Sequence, residues 1–75
     1  MKQFIKNISY EEISLLTGKI VNFKSDCEFF PNFDVTGKVY KIERRIDETI
    51  IYVKTKSGKN IKIGSNMKNL SYEIN

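Results

Sequence analysis

The chain of 75 residues carries 13 Lys and Arg against 9 Asp and Glu, a formal net charge of +4, with one Cys and no His. This length allows one domain with a small core, and a single Cys excludes an internal disulfide and a zinc site. Without His, the usual side chain of acid–base catalysis is missing. No apolar run is long enough for a signal peptide or a membrane span, so we expect a soluble, cytoplasmic protein.

Composition and charge are both biased. Ile, Lys and Asn, whose codons are AT-rich, supply 29 of the 75 residues, which indicates a gene from an AT-rich bacterium or phage. Residues 1–36 carry four Lys against five acids, whereas residues 37–75 carry nine Lys and Arg against four acids. The positive second half favours an anionic partner. The alternative interpretation is that these lysines only keep sheet faces and edges soluble.

A short helix is predicted over residues 9–17. Ser9 and Glu12 have the spacing of a capping box, in which each side chain satisfies a free backbone N–H of the other residue. Gly18 follows as a C-terminal stop. We expect this helix to cover one end of the core. Residues 1–7 have no periodicity that favours either a helix or a strand.

The first predicted strand covers residues 19–24, with Val21 and Phe23 on one face. Residues 25–34 follow without any basic side chain, and Pro31 within them indicates a loop or an irregular hairpin. The phenylalanines of this loop either fold back over the core or are exposed for a partner protein. They are Phe29, Phe30 and Phe33.

The same loop offers no convincing catalytic or metal chemistry. Cys27 has no activating base beside it, and its acidic neighbours would raise the pKa of the thiol. Asp26, Glu28 and Asp34 lack the regular spacing and turn glycine of a calcium loop. We therefore expect no metal, no cofactor and no enzymatic activity.

The second predicted strand covers residues 35–45 and changes phase part-way along. Gly37 and Val39 alternate as one face of a strand, after which the apolar positions slip to Tyr40 and Ile42. Such a slip indicates a β-bulge or a strong bend, with Gly37 easing it. Residues 46–49 form the turn to the next strand.

The third and fourth strands are predicted to form a hairpin whose loop has an odd number of residues. A two-residue loop would place Val53 opposite a lysine, since opposite residues share a face. The loop Ser57–Lys59 instead pairs Val53 with Ile63 and Thr55 with Ile61. The predicted core is Val21, Val39, Ile51, Val53, Ile61 and Ile63, with Leu70 or Tyr72 closing it.

The opposite face of this hairpin is basic and carries an aromatic ring. It contains Tyr52, Lys54, Lys56 and Lys62. The neighbouring strand extends it with Lys38, Tyr40 and Lys41. Lysines neutralise phosphates and tyrosines stack on bases, so these seven residues are the candidate nucleic-acid-binding surface.

The order of elements resembles the SH3-like small barrels, a group that includes Sm-like and KOW-type domains. GKIVNFK and TGKVYKI resemble the two opening strands, and SNMKN resembles the helical turn before the last strand. The resemblance covers residues 18–75 and rests on pattern. It implies one mainly β domain over residues 1–75, in which the helix precedes a five-stranded barrel with one helical turn before its last strand.

Two functions of a non-catalytic binding module remain open. The first is binding of nucleic acid, or of another polyanion such as an acidic protein surface, through the basic strand face. The second is a phage or mobile-element protein that binds and inhibits a host protein of the defence or transcription machinery. In that case Phe29, Phe30 and Phe33 are the partner-binding residues.

Overall fold

The computed structural model describes residues 3–26 and 32–75. Its strands are β1 (Gln3–Phe4), β2 (Ile20–Ser25), β3 (Phe33–Arg44), β4 (Thr49–Thr55), β5 (Asn60–Gly64) and β6 (Ser71–Ile74), with a 3-10 turn at Ile5–Asn7 and helix α1 at Tyr10–Ser14. They form one antiparallel sheet in the order β1-β6-β2-β3-β4-β5. The mainly β fold with one small helix is confirmed.

The prediction of five strands is corrected to six, which form an open sheet with β1 and β5 at its edges, so the predicted closure into a barrel is not confirmed. The additional strand is β1, which pairs Gln3 with Tyr72 and Phe4 with Ser71. Two residues are too few to show an alternating pattern, so β1 has no periodic signature in the sequence. Ile5 follows it, is 1% exposed, and donates its backbone N–H to the Leu70 carbonyl at 2.9 Å.

Helix α1 is shorter than predicted, but its N-terminal cap is present. The Ser9 hydroxyl accepts a hydrogen bond from the Glu12 backbone N–H at 3.3 Å. After Ser14 the backbone bonds run from residue i to residue i−3, as in Thr17 N–H to the Ser14 carbonyl. This tighter winding ends the α-helix before Gly18, which has a φ of +87°.

We expect Ser9→Ala to lower the free energy of unfolding by about 0.5–2 kcal/mol, because it removes the acceptor for the Glu12 N–H. Urea unfolding followed by circular dichroism measures this change. Ser9→Asp restores an acceptor and should recover most of the loss. Equal midpoints for wild type and Ser9→Ala would show that the cap contributes nothing.

Strand β3 contains the predicted bulge. Val39 pairs with Val53 and Lys41 pairs with Tyr52, so Tyr40 is the extra residue. A straight strand of twelve residues would span about 36–40 Å, well beyond the largest principal-axis extent of the chain, 28 Å. Strand β3 is therefore strongly bent.

The β4–β5 hairpin has the predicted three-residue loop, but the loop begins one residue earlier, at Lys56. The Gly58 N–H donates to the Thr55 carbonyl at 2.9 Å, which closes a turn, and Gly58 then adopts a φ of +89°. In a three-residue hairpin loop the left-handed residue comes last. Gly58 therefore fixes the loop as residues 56–58.

The consequence is a shift of two residues in pairing. Val53 lies opposite Ile61, and Ile51 lies opposite Ile63, in place of the predicted partners. A shift of two keeps every side chain on its predicted face. Val53, Ile51 and Ile63 are fully buried, but Ile61 near the loop is only partly buried.

The predicted helical turn before the last strand is wrong. Two successive turns replace it, closed by bonds from Met67 N–H to the Gly64 carbonyl and from Leu70 N–H to the Met67 carbonyl. Asn69, with a φ of +56°, breaks the right-handed winding. Of the two residues expected to close the core, Leu70 is buried and Tyr72 is partly exposed.

The core lies between the bent sheet and the segment that contains α1. Its buried members are Ile5, Ile13, Leu16, Val21, Phe23, Val39, Ile51, Val53, Ile63 and Leu70. Neither helical segment among the described residues has the length and apolar character that crossing a membrane requires.

Candidate functional site

The outer face of β3, β4 and β5 brings four of the predicted lysines together. In one row Lys38 lies opposite Lys54, and in the next row Tyr52 lies between Lys41 and Lys62. We call these five residues the basic face. Strands in a sheet are about 4.8 Å apart, so the three strands place these side chains within roughly 10 Å across the sheet.

No carboxylate pairs with the lysines of the basic face in the described part of the chain. Within residues 3–26 and 32–75 the one ion pair joins Arg45 Nη2 to Glu43 Oε1 at 3.0 Å. All four lysines are exposed. The basic face therefore presents four lysine charges to the solvent without a direct ion pair to any described carboxylate.

Tyr52 is at the centre of the basic face, and its ring and hydroxyl are already in contact with neighbours. The Lys41 and Lys62 Nζ atoms lie 5.1 and 5.7 Å from the ring centroid, within the range of a cation–π contact. The hydroxyl donates to Glu43 Oε1 at 2.8 Å. This hydrogen bond is the main reason that the pKa of Tyr52 is raised, with smaller contributions from burial and the Glu43 charge.

Tyr40 is the more accessible aromatic ring. It lies on the same side of the sheet as Tyr52, with ring centroids 6.0 Å apart and ring planes inclined at 52°. Its side chain remains 45% exposed. A base could stack on Tyr40 without displacing the lysines that surround Tyr52.

Lys56 is in the β4–β5 loop, which corrects its predicted place on the strand face. It nevertheless stays beside Lys38 and Lys54, since all three line a surface groove of about 470 Å³. Ile20, which lies opposite Lys38 on β2 and is largely exposed, adds an apolar wall. The groove extends the basic face toward the end of the sheet at which the β4–β5 loop lies.

Glu43 is a member of the site that the sequence did not reveal as such. Its Oε1 atom accepts from Tyr52 and also from Arg45, whose Nε and Nη2 atoms lie at 3.2 and 3.0 Å. These hydrogen bonds, the one from Tyr52 first, lower the pKa of Glu43. Sequence spacing does not indicate the bond to Tyr52, because that bond depends on the register after the bulge. The adjacent Arg44 instead places its guanidinium over the ring of Tyr10, at 5.0 Å.

The predicted partner-binding phenylalanines are described only in part. Phe29 and Phe30, with Cys27, Glu28 and Pro31, lie outside the described residues. Phe33 begins β3, is partly buried and packs against the core. Among the residues that the structure does describe, no group of three or more His, Cys, Asp or Glu could hold a metal ion.

Comparison with known proteins gives no match: no family model, curated protein or solved structure resembles the chain significantly.

Proposed function

We propose that this protein is a non-catalytic module that binds single-stranded nucleic acid through the basic face and Tyr40. The observation that carries the proposal is the set of four lysines without carboxylate partners that share a face with an exposed ring. Lysines supply affinity through the phosphates, and an aromatic ring supplies stacking that tolerates any base.

The compactness of the basic face supports this function. At physiological ionic strength the Debye length is about 8 Å, comparable to the separation of the two rows of lysines. The four charges therefore reinforce one another at a bound phosphate chain. Tyr40 beside them favours an unpaired strand, because bases in a duplex are not free to stack on a side chain.

We also propose that the sheet curls into an SH3-like small barrel over residues 18–75. The bend in β3 supports this, as does the hydrogen bond from the Ser65 N–H to the Thr49 carbonyl, which continues the β4–β5 pairing beyond Gly64. A curled sheet would present the rows of the basic face on a convex surface, where a flexible strand can follow them.

The test is binding of a fluorescein-labelled oligodeoxythymidylate of about 12 nucleotides, measured by anisotropy across a salt series. We expect log Kd to rise with log salt, and Lys38→Ala or Lys54→Ala to reduce that slope by roughly 0.7 each. Lys6→Ala removes the same charge from a position outside the sheet and should leave the slope close to wild type. Tyr40→Ala should weaken binding by about 1–3 kcal/mol with the slope unchanged.

Wild-type protein that does not bind the oligonucleotide even at low salt would refute this function. Lysine variants indistinguishable from Lys6→Ala would show that the basic face only maintains solubility. Inhibition of a host protein, the second function open from the sequence, would then be the better hypothesis, with Phe29 and Phe30 as the first residues to replace.

A further inference from the structure

One oxygen atom at the edge of the basic face is unusually well supplied with hydrogen-bond donors. Glu43 Oε1 accepts from the Tyr52 hydroxyl at 2.8 Å and from two guanidinium nitrogens of Arg45 at 3.0 and 3.2 Å. Lys41 and Lys62 stand over the ring of the same tyrosine. The carboxylate is thus held by an Arg and a phenol, with two ammonium groups nearby.

These donors are the ones that proteins use for phosphate. A guanidinium donates two parallel N–H bonds to a tetrahedral or planar oxyanion, and hydroxyl and ammonium groups complete the shell. Counting Arg45, Lys41 and Lys62 against Glu43 leaves two positive charges in excess. The cluster therefore retains attraction for a further anion while Glu43 is in place.

We propose that Arg45, Tyr52 and Lys41 form a binding site for one phosphate group, which the carboxylate of Glu43 occupies in the free protein. This inference rests on the proposed function, because the incoming phosphate is one of a nucleic-acid strand already held by Lys38 and Lys54. The strand displaces Glu43 from Arg45, and the freed donors bind phosphate oxygens.

Such an occupied site discriminates between ligands by their valency. Glu43 competes as a tethered group, at an effective concentration that free phosphate in solution does not match. A strand anchored at Lys38 and Lys54 also presents its next phosphate as a tethered group, so only the polyvalent ligand competes on equal terms. Glu43 is then a specificity-determining residue that disfavours isolated phosphate monoesters.

The experiment compares Glu43→Gln with Asp47→Asn, using the same labelled oligodeoxythymidylate. Both variants remove one negative charge, but the Asp47 side chain is exposed and makes no hydrogen bond with a described residue, so it controls for net charge. We expect Glu43→Gln to bind severalfold more tightly than wild type with a similar salt slope, because the same phosphates are contacted but no carboxylate has to be displaced. Asp47→Asn should leave the affinity close to that of wild type.

The double variant that adds Arg45→Ala to Glu43→Gln should lose this gain in affinity, because the site then lacks the guanidinium N–H donors. Thermal unfolding of each variant establishes that it is folded. Equal behaviour of Glu43→Gln and Asp47→Asn, with wild-type binding intact, would overturn the phosphate site and leave the proposed function standing. Failure of wild type and Glu43→Gln alike to bind the oligonucleotide would overturn both.

Discussion

Replacing Phe23 with alanine should lower the free energy of unfolding by about 3–5 kcal/mol, the range for deleting a buried aromatic ring. Phe23 is the largest fully buried side chain among the described residues, and it lies between Val35 on β3 and Tyr72 on β6. A domain of 75 residues has a total stability of roughly 4–11 kcal/mol. This one substitution therefore threatens the folded state itself.

Urea unfolding of Phe23→Ala and Phe23→Leu measures the effect, since the leucine variant keeps part of the apolar volume and should remain folded with an intermediate midpoint. Ile46→Ala is the matched control, because Ile46 is fully exposed in the β3–β4 turn. We expect its midpoint to equal that of wild type. A wild-type midpoint for Phe23→Ala would contradict the position of Phe23 in the core.

Gly37→Ala should also be strongly destabilising, by about 1–3 kcal/mol or more, for lack of space. A Cβ atom at Gly37 would lie 2.5 Å from the Lys54 carbonyl oxygen and 2.7 Å from Val53 Cγ1. The oxygen belongs to the backbone of the adjacent strand, so it can move only if β3 and β4 separate. Glycine is therefore required at position 37 for the close approach of two strands, and not for easing the bulge as the sequence pattern predicts.

Gly58 provides the control that separates the effect of steric room for a Cβ atom from the effect of backbone conformation. A Cβ at Gly58 meets nothing within 4 Å, but the residue has a φ of +89°. Asn adopts left-handed conformations more readily than Ala, so Gly58→Asn should be milder than Gly58→Ala. At Gly37 the larger Asn should be no better than Ala. Urea midpoints measure all four variants. If Asn is milder than Ala at both positions, or at neither, the distinction between a steric limit at Gly37 and a conformational limit at Gly58 is refuted.

The faces of the strands were predictable from the sequence because side chains alternate with a period of two. Ile51, Val53 and Ile63 are buried as the alternation requires. The pairing partners were not predictable by the same argument, since a register shift of two residues leaves every face unchanged. The two registers are distinguished by the φ of Gly58 and by the hydrogen bond from its N–H to the Thr55 carbonyl, both of which belong to a loop over residues 56–58.

Features that depend on distant contacts were beyond sequence reasoning. Strand β1 exists through pairing with residues almost a full chain length away, as in the bond from the Tyr72 hydroxyl to the Gln3 side chain. In the candidate site, the lysines and tyrosines were predicted from their shared face. The bond from Tyr52 to Glu43 was not, because it requires both the bulge and the bend in β3.

The bulge at Tyr40 decides which side of the sheet each residue in the second half of β3 faces. Lys38 and Lys41 are three positions apart, a spacing that would send them to opposite sides of a regular strand. The bulge returns both to the outer surface, while Val39 and Ile42 face inward. If the bulge were flattened with every residue kept, Lys41 would turn toward the apolar interior and Ile42 toward water. Deleting Tyr40 would instead restore the regular alternation, with Lys41 still outside and Ile42 still inside. We therefore expect the faces of this strand to survive loss of the codon for Tyr40, but not the loss of the bulge alone.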